Sequence, residues 1–436
     1  MKPDSTATPP RALRRWEPAA IWALRIVIGA TFVMSGFVKM IDPWGFLFKL
    51  EEYLSLWHMA QPRTIELIMA LGVSAYEFVL GALLMTGCYK RSAAWGLTLM
   101  MAVMLPLTAY IWIADPVSDC GCFGEYLKLS NGATFAKNIF LTAGLIYLSF
   151  RNHRLKVAMF NPSIQWLAGA WLTLYILIVG LYGYNVQPML DFRPFPVGGA
   201  PIAADSADDS EENFAFIYER AGERQTFTID NLPDSTWEFV DRVPLGGHTS
   251  GDAGGSLAVF GPDGEEATAE AILTEGPQIL LVIPELNRAD ISYTYTVNEM
   301  YEYADSAGIP MAALLGTDAE GLERWKDAAM AEYPLYSADD TQLKELARGT
   351  MAAVVLRDGV PVSKIAVSAL DPAAIESPAS TKAFLASLAS DGQRVLMWLN
   401  IFFGGVLLLL SMFQGIILAI RAKILKKYRA KHQKNA

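Results

Sequence analysis

Cys120 and Cys122 are the residues of this 436-residue chain whose type and spacing most directly suggest chemistry. They stand in the run Asp119-Cys120-Gly121-Cys122-Phe123-Gly124. Cysteines at i and i+2 can approach disulfide range, but the ring they close is tight. Strained, exposed disulfides are the more oxidising and labile ones. Gly121 relieves the backbone restriction such a ring imposes. Lys137, further along the chain, would stabilise a thiolate electrostatically. Three readings stay open: a redox-active pair, a fixed structural disulfide, or half of a metal site. For the last, only His58 offers a further ligand, and two thiolates with one distant His make a poor zinc set. No metal is therefore expected. Cys88 is the remaining cysteine and is expected to fill space in an apolar setting. Three cysteines are too few for a disulfide-built scaffold.

A second group of reactive types lies in apolar surroundings: Arg25, Lys39, Glu66 and Glu77. A central membrane charge costs about 2.5–3.5 kcal/mol on insertion scales, so unpaired ones are disfavoured. Counting residues from the helix ends sets Arg25 beside Glu77 and Lys39 beside Glu66, as two candidate interhelical pairs. Snorkelling to the headgroups is the plainer reading of Arg25, Lys39 and Glu66, and it is weakest for Glu77, the deepest.

The elements that must position these residues are six apolar stretches. They run about Pro18–Ile41, Thr64–Thr86, Ser92–Ile113, Phe135–Phe150, Ile164–Tyr184 and Val395–Ile420. A bilayer core of ~30 Å needs roughly 20 such residues. The first run is longer than the apolar core of a cleaved signal peptide and reads as a retained anchor. Basic clusters fall at alternate ends: Arg11, Arg14 and Arg15; Lys90 and Arg91; Arg151, Arg154 and Lys156; and seven from Arg421 to Lys434. The positive-inside rule makes that side cytoplasmic. Both termini are then inside, and the loops Trp44–Gln61 and Ala114–Ala133 face outward. The protein is expected in the cytoplasmic (inner) membrane, in contact with the lipid bilayer.

Of the 45 acidic residues, 35 lie between Asp191 and Asp391, so the net charge of −10 belongs to that segment. It is expected outside, in the periplasm. No basic stripe suited to nucleic acid is visible. Ala200–Asn213 reads as a flexible linker, and Phe214–Phe260 as short β-rich runs with a Gly-rich loop at Leu245–Gly255. From Gly276 the pattern predicts strands at Ile279–Ile283, Met311–Leu315, Ala352–Leu356 and Val362–Val367. Helices are predicted near Val297–Ala307, Ala319–Met330, Asp340–Ala347 and Thr381–Ala389. Asp358-Gly359 predicts the hairpin turn between the last two strands.

The first four spans resemble the DoxX/MauE family of membrane proteins. The matching pieces are Arg25-x-x-x-Gly29, Gly36-x-x-Lys39 and Glu77-x-x-x-Gly81, with the cysteine run and Lys137-Asn138 the most specific. The resemblance covers about Arg14–Asn152. It implies a four-helix membrane module associated with thiol–disulfide chemistry; MauE itself is linked to methylamine utilisation, through maturation of a disulfide-rich dehydrogenase subunit. The layout beyond, with Asp191-Phe192-Arg193-Pro194 and Asn231-Leu232-Pro233-Asp234-Ser235, looks like a long form found in Bacteroidetes. The acidic segment's element order is similar to a thioredoxin fold. Its usual Cys-x-x-Cys is missing at Pro284–Asn287, and Met351 stands where a cis-proline belongs. Such a domain cannot run dithiol exchange itself.

The fold class expected is thus a membrane α-helical bundle with an extracytoplasmic α/β thioredoxin-like domain. The bundle is the four-helix module plus two further transmembrane helices. The divisions are a module over 1–156, a fifth span within 157–190, a connector over 191–275, the thioredoxin-like domain over 276–392, a sixth span within 393–422 and a basic tail from 423. Two functions follow. In one, Cys120 and Cys122 pass redox equivalents to an exported client protein, making the chain an accessory thiol–disulfide oxidoreductase. In the other, the chain is a non-catalytic scaffold whose outer domain binds partners. Transport is a third reading, since paired charges also mark ion routes. A quinone could accept electrons, but no motif selects one or any other cofactor.

Overall fold

The computed structural model describes residues 17–59, 61–117, 120–151, 159–202, 214–220, 223–228, 238–244 and 257–433. Arg11, Arg14, Arg15, Asp119, Arg154, Lys156, Asn231–Ser235, most of the acidic linker, the whole Gly-rich loop, and Lys434 lie outside these residues. The described chain forms two units, one of residues 1–184, 188–190 and 392–436, the other of 185–187 and 191–391.

A backbone in lipid must satisfy its own polar groups, so each apolar run of the first unit is a helix. They are α1 Glu17–Ile41, α2 Pro43–Leu56, α3 Arg63–Thr86, α4 Lys90–Ala114, α5 Asn131–Arg151 and α6 Pro162–Asn185. The fourth span is longer than Phe135–Phe150 because the helix already begins at Asn131. Helix α2 occupies what the sequence presents as an outer loop. It starts at Asp42, whose carboxylate accepts from the Gly45 amide at 3.0 Å, with Pro43 in the first turn. Both are helix-start chemistry. Trp44, Leu47 and Leu54 are buried, and Trp44 stacks on Tyr184 at 4.9 Å. At 14 residues, with Lys49, Glu51 and Glu52 half-buried in ion pairs, α2 is too short and polar to read as a span.

Helices α1 and α3 pack antiparallel with their backbones touching. A Cβ on Gly36 would stand 2.5 Å from the Ser74 carbonyl oxygen, and one on Gly29 2.8 Å from that of Gly81. This seam sets the register and corrects both expected ion pairs. Lys39 pairs with Glu77, at 2.8 and 3.0 Å to its two oxygens, not with Glu66. Arg25 lies at the last turn of α3, where Nε donates to Leu84 O at 3.0 Å and the guanidinium stacks on Trp22. A cation there meets the negative end of the helix dipole. Glu66 sits instead with Glu51 and Arg63. Counting inward from helix ends assumes the ends are level; the glycine seam shifts one helix along the other.

In the second unit a three-stranded antiparallel sheet has the order β2-β1-β3, from β1 Phe214–Arg220, β2 Glu223–Thr228 and β3 Glu238–Pro244. A six-stranded mixed sheet follows, built from β4 Val259–Phe260, β5 Pro277–Ile283, β6 Met311–Leu315, β7 Leu335–Ala338, β8 Ala352–Arg357 and β9 Val360–Ala366. Its order is β4-β7-β6-β5-β8-β9. Strands β5, β6 and β7 are parallel; β8 runs antiparallel beside β5, and β9 antiparallel beside β8. The helices are α7 Thr268–Ala271, α8 Thr294–Ser306, α9 Ala319–Ala329, α10 Asp340–Leu346, α11 Pro372–Glu376 and α12 Thr381–Ser387. β5 is buried on both faces, as a central parallel strand requires. Ile279, Leu281 and Ile283 pack under α8, α9 and α12, and Leu280 and Val282 against α10, Phe195 and Leu257. The unit therefore begins before Gly276. Strands β4 and β7 are too short for sequence periodicity to register.

Asp191, Arg193 and Lys364 make a buried knot in this unit. Arg193 Nε and Lys364 Nζ donate to Asp191 at 2.6 and 2.9 Å, and Lys364 also donates to the Phe195 carbonyl. Burial would raise the Asp191 carboxyl, but Arg193 first and Lys364 next outweigh it, holding it well below the usual carboxylate range.

The chain returns to the first unit in one helix, α13 Gly392–Gln433, which continues through the expected boundary at 422. Phe403 stacks on Tyr175 of α6 at 4.2 Å, and the Tyr175 hydroxyl meets Asn400 Oδ1 at 2.5 Å. With it, six helices among the described residues are long and apolar enough to cross a membrane.

Candidate functional site

The cysteine loop lies between α4 and α5 and is held by side chains of α1, α2 and α5. Asn131, at the start of α5, donates to Asp115 Oδ1 at 2.8 Å and to Val117 O at 3.0 Å, fixing the entry to the loop. Tyr53 of α2 donates its hydroxyl to the Cys120 carbonyl at 2.8 Å. Ser35 of α1 stands 2.7 Å from the Cys122 carbonyl oxygen. Lys137 of α5 places its ammonium 4.5 Å from the centre of the Phe123 ring. Gly121 turns the chain with φ +63, a value that favours glycine.

This turn brings the two sulfur atoms to 2.9 Å, both as free thiols. Cys120 is buried among Tyr53, Ile111 and Val117, and Cys122 packs half-buried against the same cluster. The two thiols are unequal. The hydrogen bond from Cys120 pulls the Cys122 thiol down to about 6; Lys137 and Lys39 act the same way, against burial and Glu77. That same hydrogen bond, with burial, pushes Cys120 far up. Cys122 is therefore the more acidic thiol of the pair.

Of the residues singled out from the sequence, Cys120, Cys122, Lys137, Lys39 and Glu77 come together. Arg25 and Glu66 lie elsewhere along the α1–α3 pair. Cys88 is fully buried in the apolar core of the helices. Among the described residues no three His, Cys, Asp or Glu gather to hold a metal ion. Ser35, Tyr53 and Asn131 were not anticipated. Ser35 had one available signal: it lies four residues before Lys39, so both share a helix face.

Helices α1 to α5 with this loop make a polytopic module with a dithiol at one end. Residues 17–151 match the family model of methylamine utilisation protein MauE, and the protein is a multi-pass membrane protein with a MauE-type N-terminal module. Residues 213–244 match a second family, described only as a domain of unknown function. One similar curated protein is Protein TlpB of Flavobacterium psychrophilum, 26% identical over 132 residues, or 30% of this chain. The chain spans 36% of that relative's length. No solved structure matches the chain.

Proposed function

We propose that this protein exchanges dithiol and disulfide with exported client proteins through Cys122 and Cys120. The observation that carries the reading is a pair of adjoining free thiols, 2.9 Å apart, whose Cys122 member faces the charges of Lys137 and Lys39. The Cys122 thiolate attacks a client disulfide; the client S–S bond breaks, a Cys122–client bond forms, and one client thiolate leaves. Cys120 then loses its proton and attacks the Cys122 sulfur, closing the Cys120–Cys122 bridge and releasing the second client thiolate. The two electrons pass to the client, and the reverse sequence oxidises it. Lys137 and Lys39 stabilise the thiolate. The mixed-sheet unit is read as a thioredoxin-like domain, supported by its central β-α-β and terminal hairpin. Glu285–Arg288 after β5 offers no thiol, so this unit serves to bind clients. The alternating basic clusters support a reading in which both termini are cytoplasmic and the cysteine loop and acidic unit lie outside the inner membrane.

Trapping tests this. Because Cys122 attacks, the variant that should accumulate mixed disulfides is Cys120→Ala, with little in Cys122→Ala and none in the double variant. Equal absence from all three overturns the exchange reading and leaves the scaffold.

A further inference from the structure

The Ser35 hydroxyl stands 2.7 Å from two acceptors at once, Glu77 Oε2 and the Cys122 carbonyl oxygen. A hydroxyl supplies one proton. With Glu77 ionised, one of these two short contacts holds no hydrogen. A proton on Glu77 Oε2 completes the set: Glu77 donates to Ser35, and Ser35 donates to the Cys122 carbonyl. Lys39 Nζ still reaches both Glu77 oxygens.

Charge leads to the same arrangement. Lys39 and Glu77 are 5% and 3% exposed. With the cysteines bridged, an ionised Glu77 and Lys39 sum to zero. With the cysteines reduced, a Cys122 thiolate beside the same ion pair would leave one excess negative charge next to a buried site, which is costly. Moving a proton onto Glu77 restores neutrality and leaves Lys39 facing the thiolate. Lys137 adds a positive charge from the rim, where solvent screens it, so the imbalance falls on the buried Lys39–Glu77 site. Cys120 is the hydrogen-bond donor to Cys122, Tyr53 bonds the Cys120 carbonyl, Lys49 beside Gly121 is paired with Glu52 at 3.1 Å, and Lys137 stays half-exposed at the rim over Phe123.

We infer that Glu77 is the proton store of the cysteine pair, ionised beside Lys39 when Cys120 and Cys122 are bridged and protonated when they are reduced. Reduction by a dithiol breaks the S–S bond and brings two electrons. One proton goes to Cys120, Cys122 remains a thiolate, and the second proton goes to Glu77 Oε2. Oxidation returns both. The inference rests on the two cysteines forming a reversible bridge, and it makes Glu77 a positioning residue that acts through Lys39 and Ser35.

The test counts protons taken up per bridge opened in the full-length protein in detergent. A small dithiol serves as reductant, at a pH above the range in which Cys122 titrates. Once the two protons that the dithiol itself releases are added back, two protons are expected for the natural sequence, one for Glu77→Gln and two again for Glu77→Asp. Equal uptake by the natural sequence and Glu77→Gln overturns the inference. Should Glu77→Gln fail to fold, infrared difference spectra of the unaltered protein decide. Reduction should create a carboxylic-acid C=O band that shifts in D2O, and its absence refutes the proton store. A small dithiol opens the bridge without any client, so failed client trapping would sink the exchange reading while this count still stood or fell by itself.

Discussion

Removing Glu77 should be among the most damaging single changes in the helical module, and removing Lys39 with it should repair most of the damage. Both side chains are buried and meet at 2.8 and 3.0 Å in the α1–α3 seam. Glu77→Leu leaves Lys39 without its counter-charge. Breaking a buried pair from one side costs about 3–5 kcal/mol, whereas replacing both partners by apolar groups of similar volume is often neutral. At about 1.4 kcal/mol per factor of ten, the single variant loses roughly two to four powers of ten in its folded-to-unfolded ratio. The Lys39→Met/Glu77→Leu double variant should recover to within about 1 kcal/mol of the parent on the same principle. The assay is equilibrium unfolding in mixed micelles with the cysteines oxidised, read as a double-mutant cycle. A coupling below about 0.5 kcal/mol, the size expected of independent sites, would refute the pairing and with it the register set by Gly29 and Gly36.

Three further outcomes are expected. Alkylation of reduced Cys122 should titrate near pH 6 and move upward in Cys120→Ala, because the hydrogen bond from Cys120 is the largest cause of the lowered value; an unmoved profile contradicts the thiol–thiol bond. Gly121→Ala should cost roughly 1–2 kcal/mol, since a side chain in the left-handed region is strained and its Cβ would stand 3.1 Å from Lys49 Cγ; unchanged Cys122 reactivity and stability would argue against the turn. In the second unit, Asp191→Asn should destabilise far more than Lys364→Met, because Arg193 still pairs with Asp191 when Lys364 is gone. Burial foremost, with Arg193, pushes Lys364 down to about 7 from 10.5. Between those values the unfolded chain binds more protons, so stability should rise with pH across that window and the rise should vanish in Lys364→Met; hydrogen exchange of the β9 amides measures both effects.

The six spans were legible in the sequence because lipid leaves an apolar run no alternative to a helix. The strands Ile279–Ile283 and Met311–Leu315 and the turn at Asp358-Gly359 were legible for local reasons. A buried strand is a continuous apolar run, and the turn needs two residues at positive φ, here +53 and +75. Cys120-Gly121-Cys122 likewise declared its own proximity, since two residues of chain cannot separate the sulfurs far. What the sequence left open was everything set by register between distant segments. Lys39 faces Glu77 rather than Glu66 because two glycines let α1 and α3 slide into backbone contact, and neither glycine names its partner from sequence. Helix α2 was hidden by its charges, and β4 and β7 by their length. The inequality of the two thiols is likewise tertiary. Cys120 is buried because Tyr53, Ile111 and Val117 converge on it from three segments, while Cys122 is left half-buried beside Ser35, Lys39 and Lys137. Residue type and spacing determined that this chain crosses a membrane and carries a cysteine pair; only the packing of α1, α2, α3 and α5 around the loop decided which thiol is the more acidic, because electrostatics depends on distance and burial and not on order along the chain.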